Sequence, residues 1–272
     1  MKFPVMEPKD RRNASLPGPQ SLLREPGSHA SVSTISTGAA TGTGAAIATI
    51  TRARADHPPL DEYYNSLFTA FGPQHWWPGK TQFEVIVGAI LTQNTSWRNV
   101  ETAIENLRME DLLSPPAIEK ASTTHLERLV RSSGYFRQKA RKLKEFCKFL
   151  RTEYRGSLKR MFATPTAGLR EKLLGVFGIG PETADSILLY GGGHAVFVVD
   201  AYTKRIMSRH GWSAERAKYD DVRWMFERQF PGDAGRFSEF HALIVRTGKE
   251  FCRPQEARCG ECPLGRYREE GR

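Results

Sequence analysis

The sequence is short of cysteine, of acid relative to base, of long apolar runs and of strand-like alternation, and each shortage removes a class of protein. Four cysteines in 272 residues are too few for a disulfide scaffold, and no compact apolar segment follows the first charges as a secretory leader would require. The stretch AAIATI at 45–50 falls well short of the roughly 20 apolar residues that cross a bilayer, and no other stretch does better. The expectation is a soluble protein with no membrane partner. Only VFVV at 196–199 resembles a strand, and it reads better as an extended connector, so the expected class is all-α. No long internal repeat occurs, which removes solenoids. Acids number 30 against 40 Lys and Arg, a net charge of +10, and a basic balance of that size suits a polyanion.

Residues 1–55 lack the apolar periodicity needed to offset the entropy of ordering a backbone and are expected to form a disordered tail. They hold seven basic and three acidic side chains, so +4 of the charge lies there and +6 in the remainder. A basic, acid-poor, Ser/Thr-containing leader has the composition of an organelle transit peptide as well as of a loose tail. Without such targeting the expected location is the cytoplasm, at the nucleoid in a prokaryote.

From Leu60 the pattern turns helical. Tyr63, Tyr64, Leu67, Phe68 and Phe71 make one apolar face, closed by Gly72 and Pro73, and QHWWPGK reads as an aromatic loop. FEVIVGAILTQ predicts a buried helix. SWRNVETAIENLR starts another, with Ser96 at its N-cap. A short helix ends at Gly134 and is followed by the basic QKARKLKEFCKFLRTEY. The centre of the chain is LLGVFGIGPETADSILLYGGG, which reads as helix, glycine turn, helix. Gly178 and Gly180 bracket Ile179 in a turn that a Cβ would resist, Pro181 fits the first helical position, and Gly191 to Gly193 stop the second helix. Free amides at such a hairpin make an anion site suited to a phosphate. Asp200 follows four apolar residues and opens a helix carrying Thr203 and Lys204. Helices over YTKRIMSRHG, DDVRWMFERQFP and FSEFHALIVRTGKEFC complete the chain.

FGIGPETA followed by VVDAYTKR resembles the helix-hairpin-helix DNA glycosylases, the superfamily of endonuclease III. LTQNTSW at 91–97, SGYFRQKARKL at 133–143 and the C-terminal cysteines are similar to that family in the same order, so the resemblance spans about Leu60 to Leu264. It implies two helical lobes: a six-helix barrel over 81–192 ending in the hairpin, and a second lobe of 193–272 against which 56–80 packs. It implies duplex DNA with a flipped damaged base as partner, bound by a monomer. Gln93, Gly178, Ile179, Gly180, Thr183 and Lys139 would then contact DNA, with Arg137, Arg141, Lys142 and Lys144 extending a basic run along phosphates. The same run also reads as a solvated helix face.

The resemblance assigns Asp200 the catalytic carboxylate, since breaking an N-glycosidic bond builds positive charge on the sugar that a held anion stabilises. An aspartate there is equally an N-cap, and the two readings are compatible. Family members that also cut the backbone carry a lysine two residues after the second hairpin glycine. This chain has Glu182, which cannot form an imine, so the similarity is greatest to monofunctional members resembling the 3-methyladenine glycosylases. A lyase working through Lys204 or Lys249, and a DNA-binding relative without turnover, are the alternatives. Trp76, Trp77, Trp97 and Glu182 are the expected base pocket, where aromatic faces suit a cationic methylated purine; plain core packing is the other reading of the tryptophans. Cys252, Cys259 and Cys262 match three of the four ligands of the family's [4Fe–4S] loop. Arg268 stands at the fourth place, and Cys147 lies elsewhere in the fold. A cluster with one non-cysteine ligand, a three-thiolate zinc site and a metal-free loop all stay open.

Overall fold

A computed structural model describes residues 57–77 and 79–268, so the expected disordered tail lies outside the described residues. Helices α1 (Leu60–Phe71), α2 (Gln82–Leu91), α3 (Trp97–Met109), α4 (Pro115–Lys120), α5 (Thr123–Leu129), α6 (Phe136–Tyr154), α7 (Leu158–Phe162) and α8 (Thr166–Leu174) precede the central turn. After it come α9 (Pro181–Ser186), a π-helical turn over Ile187–Gly191, α10 (Ala201–Arg209), α11 (Tyr219–Gln229) and α12 (Ala234–Glu250). Among the described residues there is no strand, only one isolated antiparallel bridge between Cys252 and Ala257. The all-α expectation holds.

Side chains start half of these helices as their residue types suggest. Thr81 accepts from the Glu84 amide, Ser114 from Ala117, Ser122 from His125, Ser157 from Arg160 and Asp233 from Arg236, each cap contributing about 1 kcal/mol. Ser96 occupies the N-cap position of α3, but its hydroxyl makes no capping bond. Helix α2 is buried from Phe83 to Leu91, as its nearly all-apolar sequence requires. It packs on α3, α6 and the π turn. Helix α1 lies against α11 and α12, and α10 lies against α12.

One apolar core runs through both halves of the chain. It includes the connector: Val196, Phe197, Val198 and Val199 are at most 1% exposed. The Phe197 ring stacks on Phe226 at 3.8 Å, with Phe237 and Phe240 edge-on at 5.6 and 6.1 Å. The connector is therefore extended because both of its faces are covered, and two of its amides go to side chains: Phe197 to Glu227 and Val199 to the Tyr219 hydroxyl. It delivers Asp200 to the start of α10 with no slack. On the other side, Arg170 of α8 makes a bidentate pair with fully buried Asp185 of α9 at 2.7 and 3.1 Å, clamping the two arms of the hairpin.

Candidate active site and nucleic-acid face

Asp200 is both a cap and a recessed carboxylate. Its Oδ1 accepts from the Thr203 amide at 2.8 Å and the Thr203 hydroxyl at 3.0 Å. Its Oδ2 faces His241 Nε2 of α12 at 3.6 Å. Its side chain is 11% exposed. Burial alone would raise its pKa, but the His241 contact and the two Thr203 bonds outweigh burial and hold it below the ordinary carboxylate value. The carboxylate is thus an anion at neutral pH. The charged and polar groups around it come from four elements: Glu182 of α9, Tyr190 of the π turn, Tyr202 of α10, and His241 and Lys249 of α12.

Glu182 is exposed to solvent on α9 and feels the Asp200 charge. Crowding there, and next the Asp200 charge, push its carboxyl up to about 7. Two neighbouring carboxyls are therefore held on opposite sides of the ordinary range, a common device for separating acid and base roles. Of the two amines considered from sequence, Lys204 donates to the Ala217 carbonyl at 3.1 Å. Lys249 lies over the Trp76 ring at 5.6 Å, its pKa lowered by burial against the opposing pull of Asp200.

The tryptophans separate. Trp76 meets His241 edge-on at 6.4 Å and so borders the Asp200 group. Trp77 stacks on Tyr190 at 4.7 Å, and Trp97 packs on Trp77 at 5.5 Å. Both fill the space over Gly88, and Trp97 gives its N–H to Glu101 at 2.8 Å. Trp77 and Trp97 meet edge-on over a glycine of α2, whose missing side chain leaves a hollow that the two indoles fill, while Trp76 stands apart beside His241.

The hairpin turn is held by the residues expected to face DNA. Gly178 has φ +76°, and a Cβ on it would overlap the Lys142 side chain. Gly180 is extended, and a Cβ there would meet nothing, so no packing contact requires a glycine at this place. Ile179 is buried and anchors the tip. Gln93 reaches across from the end of α2, donating to the Gly178 carbonyl at 3.1 Å and the Thr183 hydroxyl at 2.8 Å, while Lys142 donates to its Oε1. Gln93, Gly178 and Thr183 therefore form one cluster, with Lys142 as its cation. Lys139 does not join it. That side chain is 1% exposed and donates to the Ser133 carbonyl at 2.5 Å, because it shares the buried face of α6 with Leu143, Phe146 and Leu150. It presents no cation to a phosphate. Lys144 is also spent internally, on the carbonyls ending α4. Arg137 and Arg141 are exposed, the latter stacked on Phe177 of the hairpin at 3.8 Å. Sequence reading missed Tyr135, which is 71% exposed beside Gly134 with a left-handed φ of 44°. An exposed aromatic on a strained backbone is a signal of function, visible in sequence only as the residue after SG. It also gave no role to His241, whose one hint was a lone polar side chain in the apolar run FHALIV.

Cys252, Cys259 and Cys262 line one small cavity with His210 and Arg268. Arg268 donates to the Cys259 sulfur at 3.1 Å and Arg209 to the Cys252 sulfur at 3.3 Å. The buried Leu264 and the close approach of Gly265 to the Cys259 carbonyl complete the loop. No group of three or more His, Cys, Asp or Glu among the described residues is disposed to hold a metal ion. The donor set does not fit a four-thiolate cluster: a guanidinium, which cannot ligate, stands at the fourth place with its hydrogens on a sulfur.

Residues 87–231 match the family described as HhH-GPD superfamily base excision DNA repair protein. A Methanocaldococcus jannaschii protein described as a candidate DNA repair glycosylase is 48% identical over 206 residues, covering 75% of this chain and 93% of that protein. Endonuclease III of Thermotoga maritima is 29% identical over 67% of this chain and 80% of its own length. Among solved structures, the H. pylori 3-methyladenine DNA glycosylase bound to 1,N6-ethenoadenine aligns with TM-score 0.62 and 29% identity over 70% of this chain and 97% of that one. A non-covalent endonuclease III–DNA complex aligns with TM-score 0.67 and 22% identity over 78% of this chain and 94% of that one, a likeness of fold. With its hairpin, its aspartate-capped helix and these matches together, the chain belongs to the endonuclease III-like HhH-GPD superfamily of base excision DNA repair glycosylases.

Proposed function

We propose that the protein is a monofunctional DNA glycosylase that hydrolyses the bond between an alkylated base and deoxyribose in duplex DNA, leaving the abasic site intact. The observation that carries this is the Asp200 carboxylate, fixed through Oδ1 by Thr203, held anionic, and neighboured at position 182 by a carboxyl rather than an amine. In this reading duplex DNA lies across the groove between the 81–192 and 193–268 segments. Backbone amides at Gly178 to Gly180 and the Lys142 and Arg141 cations engage one strand, and Gln93 and Tyr135 face the helix from which the base is turned out. Flipping is required because the glycosidic carbon is unreachable in a stacked duplex. As the bond stretches, the Asp200 anion stabilises the positive sugar, and water adds at the vacated carbon. Glu182 cannot form the imine that backbone cleavage needs. The preference for an alkylated base draws on the Trp76 face and on the likeness to the 3-methyladenine glycosylase. No step passes through the cysteine loop.

A lyase reading has one observation in its favour: Lys249 is an amine of lowered pKa that feels the Asp200 charge. Base release from duplexes carrying methylated purines, oxidised pyrimidines, uracil and mismatches tests the proposal. Release of methylated purines, lost in Asp200→Asn with duplex binding retained, is expected. A covalent adduct trapped by borohydride, abolished in Lys249→Ala, would replace the proposal with the lyase. Equal duplex binding with no release of any base by either protein would remove the enzyme.

A further inference from the structure

Thr203 satisfies only one oxygen of Asp200. The other oxygen is served from outside its own helix, by groups of the π turn and α12. Tyr190 Oη lies 2.5 Å from His241 Nδ1, and the opposite ring nitrogen lies 3.6 Å from Asp200 Oδ2. Trp76 Nε1 is buried without completing a hydrogen bond, and the oxygen it faces is that of Tyr190. The four side chains come from the loop after α1, the π turn, α12 and the start of α10. The π turn widens the helix by one residue just where Tyr190 must reach across to α12, and such turns gather at functional sites.

The chain has a direction. Burial, and then the Asp200 charge, keep the Tyr190 phenol protonated far above its ordinary range. With the indole N–H facing its oxygen, the phenol's own hydrogen is left for His241 Nδ1. The remaining ring hydrogen then sits on Nε2, aimed at Asp200 Oδ2. His241 Nε2 is itself buried with no completed bond, so the last link is a 3.6 Å charge contact rather than a closed hydrogen bond. We propose that Tyr190 and His241, steered by Trp76, are positioning residues that fix the imidazole tautomer and orient and charge-stabilise the second oxygen of Asp200 for the glycosylase reaction. This rests on the reading of Asp200 as the working carboxylate. The titratable groups facing Asp200 are Glu182 from α9, Tyr190 from the π turn, Tyr202 from α10, and His241 and Lys249 from α12.

Single-turnover base release is measured against pH for the full-length protein and for Asp200→Asn, Tyr190→Phe, His241→Phe and His241→Gln, with duplex affinity alongside. The expected rate loss is on the order of tenfold to a hundredfold in Tyr190→Phe and His241→Phe, from a misplaced carboxylate, with duplex affinity within about twofold of the native protein. The acidic limb of the profile moves to higher pH in His241→Phe and is largely restored in His241→Gln, which keeps a donor. A purely structural role for His241 would lower rate and stability together and leave the limb in place. Nitrogen-15 spectra of the unaltered protein supply a readout that needs no variant to fold: a hydrogen on Nδ1 of His241, with Nε2 bare, overturns the proposal. So do unchanged rates and limbs in Tyr190→Phe and His241→Phe when Asp200→Asn is inactive. If Asp200→Asn releases base at the native rate, the underlying reading of Asp200 fails instead.

Discussion

Replacing Lys139 with methionine separates a buried lysine from a phosphate contact. The ammonium is enclosed on the apolar face of α6, and burial, followed by the charge of Lys142, lowers its pKa from the ordinary 10.5 to about 8. A base whose native pKa is lowered holds its proton less tightly in the folded state. Stability is therefore depressed below the native pKa and recovers as pH climbs towards the unfolded value. Between about pH 7 and pH 9.5 the folded chain sheds this proton while the unfolded chain keeps most of its own. At about 1.36 kcal/mol per pK unit, that recovery amounts to about 1–2 kcal/mol. Methionine fills a similar volume and does not titrate, so the native protein should gain that much on Lys139→Met across the window. Urea unfolding followed by circular dichroism at a series of pH values measures the difference. Duplex affinity at increasing salt gives the second arm. Lys139→Met should keep the native salt slope, whereas loss of a phosphate contact would reduce it by about 0.9. Parallel stability curves for the two proteins, or a salt slope lowered by that amount, would refute the assignment.

Three further outcomes are expected. Gly178→Ala forces a Cβ onto a left-handed backbone and against Lys142, and should cost about 1–2 kcal/mol in urea unfolding, with weakened duplex binding as the Gln93 cluster shifts. Glu182→Gln should leave stability close to native at low pH and gain on the native protein as pH rises through about 7, because an acid with a raised native pKa favours the fold only while protonated; an unchanged difference between about pH 5 and pH 9 would contradict it. Iron and sulfide analysis should find no stoichiometric four-iron cluster in the native protein, while Arg268→Cys, which supplies the fourth thiol, should take one up on anaerobic reconstitution; a full complement of iron in the unaltered protein would show that three thiolates suffice.

Much of this was legible in the sequence because it is local. The period of the apolar residues predicts the helices, the glycine turn predicts the hairpin, and Asp200 three residues before Thr203 predicts the cap. Lys139 was misread by giving charge more weight than phase: it stands four residues before Leu143 and seven before Phe146, on the buried face. The tryptophans illustrate a different limit. Aromatics near a site suggest a pocket, but whether they leave a gap depends on Gly88, which lies in another helix. The contact between Tyr190 and His241 spans 51 residues and depends on a π turn, a local register shift that no apolar period encodes. Arg268 was readable as a missing ligand, though not as a donor to Cys259.

The stacked phenylalanines under 196–199 bear on how such a protein could change its target. The aspartate is mounted on a buried, aromatic-packed connector, whereas the aromatic loop at 72–77 lies partly exposed. On the proposed assignment of Asp200, selection, natural or in the laboratory, can exchange the aromatic loop while the carboxylate stays in register. Conversely, trimming Phe197 or Phe226, both buried in the core, should blunt turnover on every lesion alike.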